Sequence, residues 1–293
     1  MNRKEFLQLI ATIPIGTTMT ELKNVEQLLG NLPLTEKMPA LFLGHGSPMN
    51  AIEDNEFVRG FIKESKHLPA PKAILCISAH WETKGTYLTA SPNPKTIHDF
   101  GGFPPELYAV QYPAKGSPEL ALVTQQLITK TAIQLDHQWG LDHGAWSVLK
   151  HLYPQADVPV IQMSIDYSQP PQYHYDLTKE LATLRNRGIL IVGSGNMVHN
   201  LRLVDWKRLN ENFAYDWATE VSEKMKNFVL DNNHTALINY AQQGKAFSLA
   251  IPTPEHYLPL LYILALKEKQ ENTTFFNDKP VAGALTMTSV KIS

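Results

Sequence analysis

Short runs of consecutive apolar residues alternate along this chain with longer stretches in which apolar and polar residues mix. Apolar runs that break off at glycine, proline or polar clusters are typical of buried parallel strands. They predict strands over Ala40–Leu43, Ala73–Ser78, Thr86–Ala90, Val158–Ile165, Ile189–Val192 and Gly283–Ile292. The intervening stretches predict helices over Asn55–Lys66, Pro118–Thr131, His143–Tyr153 and Pro171–Arg187, two helices within Asn210–Gln243, and one that begins near Pro254. Strands interleaved with helices predict an α/β fold: a single-domain sandwich in which helices flank a mostly parallel or mixed central sheet.

Two segments fall outside this alternation. Residues 1–38 are expected to form an N-terminal extension of helix and loop, and residues 39–293 the folded domain. Within that domain, Ser91–Ser117 is long, irregular and rich in proline and glycine. Loops of this length inside compact domains are usually functional lids or pocket walls, so we expect Ser91–Ser117 to border a site.

Composition narrows the class of protein and its partners. The chain has 293 residues, of which 43% are hydrophobic, and this is ample for one core without disulfide staples. Its formal net charge of −2, with Lys and Arg scattered along the chain, predicts no binding to nucleic acid. The single cysteine, Cys76, excludes an internal disulfide, and we expect it to be a core residue.

The sequence also bears on location. No apolar run approaches the roughly 18 residues that a membrane span needs, so no span is expected. The N-terminal Met1–Leu7 loosely resembles a twin-arginine signal, but Lys4 stands in place of the second arginine and no small-residue cleavage site follows. A cytoplasmic location is therefore expected, with export through this degenerate signal as the less favoured alternative.

Three of the predicted strands lead into a histidine. His45 and His80 come directly after the ends of apolar runs, and His199 follows a third run after a short loop. In open α/β sheets, ligands bind just beyond the carboxyl ends of the strands, so these imidazoles are expected to converge. Histidine accounts for only 11 of 293 residues, and chance gives a poor account of this placement. The pattern predicts a site for a single metal ion.

Two positions of this site stay open at the level of sequence. His199 has the reach of a metal ligand, but its ordinary pKa also suits an acid or base beside the metal. In the segment after residue 252, Thr253 is a good N-cap, Pro254 fits the first helical position, and His256 then falls in the first turn. Glu255 and His256 would point about 100° apart on a helix, so only one of them is expected to complete the site.

Two further histidines have a context that suggests chemistry. His143 is predicted to open a helix capped by Asp142, where a neutral imidazole near Trp146 suits hydrogen bonding to a polar substrate group; a simple capping role is the alternative. His98 and Asp99 lie in the long loop and are predicted either to support the metal ligands from behind or to line the pocket, the alternative being ordinary loop residues.

Several common sites are missing from the sequence. No phosphate-binding loop and no Gly-x-Gly-x-x-Gly fingerprint opens a helix, so a nucleotide cofactor is not expected. Neither the Gly-x-Ser-x-Gly elbow of serine hydrolases nor the His-Glu-x-x-His helix of zinc peptidases is present.

At the residues singled out above, the chain resembles the class III extradiol ring-cleaving dioxygenases, in particular the DOPA 4,5-dioxygenase branch. The resemblance runs from Pro39 to the C-terminus and leaves the first 38 residues outside it. The matching stretches are PALFLGHGSPMNA, ISAHWET, TIHDFGGFPPELY, GLDHGAWSVLKHLYP, VPVIQMSID, GSGNMVHNL and TPEHYLPLL.

The resemblance implies a catalytic domain over residues 39–293 that uses non-haem Fe(II) to open a catechol, such as L-DOPA, with O₂. It implies metal ligation by His45, His80 and His256. It gives His199 the role of a fourth ligand or of the catalytic base, and His143 an assisting role at substrate or oxygen. Typical members use two histidines and one carboxylate, so a third histidine is a departure, and Zn(II) is a second candidate metal.

The long loop is also expected to contact the substrate, at His98, Asp99 and Phe103, with Phe100 and Tyr108 as further aromatic residues of the wall. Two other function classes are weighed against ring cleavage: a zinc-dependent hydrolase on the same scaffold, and a non-catalytic binding protein that keeps the cleft. The sequence leaves the oligomeric state open.

Overall fold

The structure is a computed structural model that describes residues 32–209 and 211–293. Within these ranges the strands are β1 (Ala40–Gly44), β2 (Ala73–Thr83), β3 (Thr86–Thr89), β4 (Ile133–Asp136), β5 (Val160–Asp166), β6 (Ile189–Gly195), β7 (Thr273–Phe276), β8 (Pro280–Val281), β9 (Leu285–Thr286) and β10 (Ser289–Ile292). The helices are α1 (Glu56–Ser65), α2 (Pro105–Tyr108), α3 (Pro118–Leu127), α4 (His143–Leu152), α5 (Pro171–Lys179), α6 (Ala182–Arg185), α7 (Asp216–Leu230), α8 (His234–Ile238), α9 (Lys245–Ala250) and α10 (Leu258–Leu264). Pro48–Ala51 and Tyr240–Gln242 form short 3₁₀ helices.

Eight of these strands form one sheet in the order β4-β3-β5-β2-β6-β1-β10-β7. The four central strands β5, β2, β6 and β1 are mutually parallel. The sheet becomes mixed towards its edges, because β3 is antiparallel to β5 and β10 is antiparallel to β1. The carboxyl ends of the four central strands therefore lie side by side at the same end of the sheet, which is its carboxyl edge.

Alternate residues of the central strands enter two separate apolar cores. On β1, Phe42 packs into the core beneath α10, whereas Leu41 and Leu43 pack into the core beneath α4. This alternation follows from the pleat of a strand that is buried on both faces. The predicted sandwich of helices around a mixed central sheet is thus confirmed, and Cys76 is fully buried in the α4-side core as expected.

The structure differs from the predicted elements at several points. β2 does not end at Ser78 but continues to Thr83, with a break in its register against β5 between Ile77 and Glu82. The single helix predicted from Pro171 is divided into α5 and α6. The last predicted strand is divided into β9 and β10, and the long loop contains the short helix α2. The strands β4, β7 and β8 carry too weak an alternation to be found from the sequence.

The segment before β1 packs at the amino-terminal ends of the central strands, opposite their carboxyl ends. The backbone N–H of Met38 donates to the carbonyl of Arg185 (2.9 Å), and the guanidinium of Arg185 binds the buried carboxylate of Glu271. The twin-arginine-like stretch Met1–Leu7 lies outside the described residues. Within the described part of the chain, no helix has the length and apolar character needed to cross a membrane.

Candidate metal centre

His45 leaves the end of β1 and lies at the carboxyl edge of the parallel strands. Its backbone N–H donates to the carbonyl of Gly195, the last residue of β6 (3.1 Å). Gly46 has φ of +62°, a conformation that favours glycine, and it turns the chain immediately after the histidine. The imidazole is only 2% exposed, and its Nδ1 lies 3.1 Å from the hydroxyl oxygen of Ser194.

His80 reaches the same point from β2. It lies in the irregular part of that strand, where the pairing with β5 shifts register. A bulge of this kind bends a strand and redirects its side chains, so His80 can reach the edge although β2 runs on beyond it. The Nε2 atom of His80 lies 3.2 Å from the Nε2 atom of His45, and its Nδ1 lies 3.2 Å from the carboxylate of Asp99.

His256 completes a group of three imidazoles. Its ring centroid lies 5.2 Å from that of His45 and 5.0 Å from that of His80. Its own carbonyl accepts the backbone N–H of Asn196 (2.8 Å), and it lies so close to Gly195 that a side chain there would collide with it. The strand end of β6 therefore holds the backbone of His256 in place.

The local structure around His256 differs from the prediction. The residue lies in a turn, and α10 begins only at Leu258, so Thr253 does not cap the helix. The Thr253 hydroxyl instead donates to the carboxylate of Glu255 (3.0 Å), and that same oxygen lies 3.0 Å from Nδ1 of His256. Because a turn replaces the helix, Glu255 and His256 face each other rather than diverging, and the carboxylate contacts the imidazole directly.

Three overlapping sets of side chains could hold a metal ion within the described part of the chain. They are His45 with His80 and His256, His80 with Asp99 and His143, and His199 with Glu255 and His256. In each set the candidate ligand atoms lie within 4.8 Å of one another. The first set consists only of imidazoles, which suit Fe(II) and Zn(II). Metal–nitrogen bonds of about 2.1 Å at tetrahedral angles separate two ligand nitrogens by roughly 3.4 Å, close to the His45–His80 spacing, so these residues fit such an ion.

His143 lies beside this set at the start of α4. Asp142 caps the helix through the backbone N–H of Ala145 (3.1 Å), as predicted. Asp99 contacts His143 twice: one carboxylate oxygen accepts the backbone N–H (2.8 Å) and the other lies 2.9 Å from Nδ1. The rings of His143 and His80 are close, with centroids 3.8 Å apart. The predicted loop residue Asp99 is thus brought to two histidines.

His199 lies against His256 in the loop after β6. Its backbone N–H donates to the carbonyl of Ala250 (2.9 Å), which anchors the loop after β6. Its ring stacks on that of His256, with centroids 3.5 Å apart and 7° between the ring planes. His199 therefore lies at the periphery of the centre, where it is grouped with Glu255 and His256.

Burial favours the neutral form of His45, His143, His199 and His256. It lowers the pKa of His45 and of His256 well below the ordinary value, and the neighbouring histidines lower both further. Burial also lowers the pKa of His143, against the opposing effect of its hydrogen bond to Asp99. Burial lowers the pKa of His199 to about 4, although the charge of Glu255 raises it. Neutral imidazoles have free lone pairs, and this is the state in which histidine binds metals or accepts a proton.

Aromatic residues of the long loop border the centre. The ring of Phe100 makes an edge contact with His143 (centroids 5.5 Å apart) and contacts Phe103 (5.3 Å) and Tyr108 (5.2 Å). The ring of His98 packs against Phe100. Its Nε2 atom lies 3.0 Å from the carbonyl oxygen of Val110, so this nitrogen binds within the loop.

Sequence reasoning missed the polar residues that support the histidines. Ser194 contacts His45, and its hydroxyl donates to the carbonyl of Gly144 (2.5 Å). Gln162 donates to the carboxylate of Asp142 (2.7 Å), the cap of α4. The available signal was weak: a serine and a glutamine inside otherwise apolar strand segments, β6 and β5, where a buried polar side chain needs a partner.

Comparison with known proteins places this site in a family. The family described as the catalytic LigB subunit of aromatic ring-opening dioxygenase matches residues 39–283. A protein of Escherichia coli K12 named 4,5-DOPA dioxygenase extradiol is 48% identical over 260 residues, which cover 87% of this chain and 95% of that protein. A Beta vulgaris protein of the same name is 37% identical over 225 residues, covering 75% and 83% of the two chains. The crystal structure of an uncharacterized protein of Escherichia coli K12 superposes with a TM-score of 0.75 at 42% identity, covering 88% of this chain and 100% of that one.

The fold and the site together define a metal-dependent enzyme of the α/β class that acts on a small aromatic molecule and O₂. The chain belongs to the LigB family of extradiol aromatic ring-opening dioxygenases. The predicted resemblance is confirmed, and the hydrolase alternative is not favoured.

Proposed function

We propose that the enzyme opens the ring of a catechol such as L-DOPA beside its diol and gives a semialdehyde. The choice of substrate is supported by the names of its relatives, which include 4,5-DOPA dioxygenase extradiol from both a bacterium and a plant. The reaction balances without a further reductant: one ring C–C bond breaks, and both atoms of O₂ enter the product.

We propose His45, His80 and His256 as the metal ligands. The single observation that carries this assignment is the approach of the His45 and His80 Nε2 atoms to 3.2 Å, with His256 in the same set. Glu255 then serves to orient His256, since its carboxylate can only accept the Nδ1–H and so leaves Nε2 free. Fe(II), when bound, supplies the redox chemistry that links the catechol to O₂, and zinc has none to supply.

His143 is proposed to accept a hydroxyl proton of the catechol. Because the Asp99 carboxylate accepts hydrogen bonds only, Nδ1 of His143 carries the proton and Nε2 is left as the acceptor. His199 is proposed as either a base or a fourth ligand, and its grouping with Glu255 and His256 rather than with His45 and His80 favours the base.

The long loop is proposed as the wall of the substrate pocket. Phe100 and Phe103 would cover the catechol ring, because the Phe100 ring contacts both His143 and Phe103. His98 would shape this wall through Phe100 and Val110. Asp99 would act through the histidines that it contacts.

A cytoplasmic location stays a prediction, which cell fractionation would test.

The experiment loads metal-free protein with Fe(II) or with Zn(II) under anaerobic conditions and then supplies a panel of catechols and O₂. We expect oxygen uptake and the coloured semialdehyde only with iron, and catechol binding with both metals. L-DOPA should be turned over at least as fast as catechols without its amino-acid side chain. An iron form that ignores catechols and O₂ would contradict the proposal.

A further inference from the structure

One carboxylate lies between two histidines to which the proposed function gives different roles. One oxygen of Asp99 lies 2.9 Å from Nδ1 of His143 and 3.2 Å from Nδ1 of His80. The other oxygen accepts the backbone N–H of His143 (2.8 Å), which fixes the carboxylate relative to α4. The side chain of Asp99 is 18% exposed, so these contacts are largely shielded from water.

The direction of these hydrogen bonds follows from the acceptor. An ionised carboxylate has no proton to donate, so each Nδ1 that binds it must be the donor. A neutral ring bound in this way carries its proton on Nδ1 and its lone pair on Nε2. Burial alone would raise the pKa of Asp99, but the hydrogen bonds from His143 and His80 lower it below its usual range, so the carboxylate stays ionised.

The same logic applies to His45. The Ser194 hydroxyl donates to the carbonyl of Gly144, so it accepts from Nδ1 of His45. The Nε2 atoms of His45 and His80 therefore turn lone pairs towards each other at 3.2 Å. Two lone pairs at that distance repel unless a cation or an added proton lies between them.

We propose that Asp99 is a positioning residue that holds His80 and His143 together in the Nδ1–H form, so that one side chain controls both metal binding and proton transfer. This inference rests on the proposed function, in which His80 is a metal ligand and His143 a proton acceptor. Of the two roles that the sequence left open for Asp99, this is the one of supporting the metal ligands, and it needs no contact with the substrate. Outer partners of this kind typically change metal affinity by about 10–100-fold when they are removed.

The test uses Asp99→Asn, which keeps the shape of the side chain but replaces an acceptor by an NH₂ donor. In the metal-free full-length protein, ¹⁵N NMR of the histidine rings reports which nitrogen carries the proton. We expect His80 and His143 to be Nδ1–H in the wild type and to change to Nε2–H in Asp99→Asn. Chelator competition should show a Kd for Zn(II) that is about 10–100-fold higher in the variant.

Two further variants serve as controls. Asp166→Asn removes a carboxylate at the end of β5 that accepts a hydrogen bond from the Ser168 hydroxyl. This variant should leave unchanged the ring signals of His80 and His143 and the Kd for Zn(II). Asp99→Glu keeps an acceptor and should retain the Nδ1–H form.

Unchanged ring signals together with an unchanged Kd in Asp99→Asn would overturn the inference, as would an equal change in Asp99→Glu. A wild type that shows both Nδ1–H rings but binds neither Fe(II) nor Zn(II) would overturn the proposed function and still support the role of Asp99 in fixing the rings.

Discussion

The imidazole rings of His199 and His256 stack in parallel, with their centroids 3.5 Å apart. His256 is buried and His199 is half-buried, and a proton on either ring would place a positive charge directly over the other. Burial, followed by the influence of His199, lowers the pKa of His256 well below its ordinary value. The stack therefore keeps two neutral imidazoles side by side at the edge of the metal centre, with Glu255 in contact with His256.

From this stack we expect His199→Ala to retain its metal and to lose turnover. A general base contributes about 10²–10⁴-fold to a rate, so kcat should fall by that factor while metal content stays near the wild-type level. Metal analysis and oxygen uptake on the same preparation measure the two quantities. Loss of the metal in this variant would instead make His199 a fourth ligand.

His45→Ala and His80→Ala should each abolish stoichiometric metal and leave the fold intact. Their rings supply two of the three nitrogens of the proposed centre. His45 directly follows β1, His80 lies in the irregular part of β2, and neither residue belongs to the apolar cores. Metal analysis tests the first expectation and circular dichroism the second. Stoichiometric metal in either variant would remove that residue from the ligand set.

His256→Ala and Glu255→Gln form a matched pair. The alanine variant should lose the metal, whereas the glutamine variant should keep most of it, because an amide oxygen can still accept the Nδ1–H of His256 and the hydroxyl of Thr253. Both are compared by metal analysis after identical loading. The reverse result would make Glu255 the third ligand and restore a two-histidine, one-carboxylate centre.

His143→Ala should keep the metal and slow ring opening by about 10²–10⁴-fold, as expected when a proton acceptor is removed. The helix should remain, since Asp142 caps α4 and Asp99 accepts the backbone N–H of residue 143. Stopped-flow measurement of product formation, with circular dichroism as the control, tests this. Normal turnover in the variant would reduce His143 to a structural role.

His174 should contribute to acid sensitivity from a position away from the metal centre. It is fully buried, its Nδ1 lies 2.8 Å from the hydroxyl of Tyr262, and burial lowers its pKa to about 4 from the ordinary 6.5. Between these values the unfolded chain takes up a proton that the folded chain does not. The contribution of this group to stability is complete above pH 6.5 and is lost as the pH falls towards 4, by about 3 kcal/mol in all.

In His174→Gln this contribution disappears, so the free energy of unfolding should vary less with pH than in the wild type between pH 6.5 and 4. Urea unfolding followed by circular dichroism at several pH values measures the difference. Equal pH dependence in the two proteins would show that His174 titrates normally in the folded state.

The fold class, the position of the central strands and the convergence of the histidines could all be predicted from the amino-acid sequence. These features depend on local patterns: a strand buried on both faces is a continuous apolar run, and parallel strands bring their carboxyl ends to one edge. His45, His80 and His199 could therefore be singled out without a structure, whereas the residues by themselves left Glu255 and His256 as alternatives. The weakly alternating strands β4, β7 and β8 could not, because their pairing depends on neighbours that are distant in sequence.

The contacts that hold the histidines in place could not be predicted from the sequence, because they are tertiary contacts. The turn at His256, the bulge that directs His80 and the serine that contacts His45 all depend on contacts between separate elements. Asp99 shows this most directly: it precedes His143 by 44 residues along the chain, and the fold brings its carboxylate to hydrogen-bond distance of the His143 ring. Hydrogen-bond direction is set by which groups meet in space, and sequence spacing does not encode it.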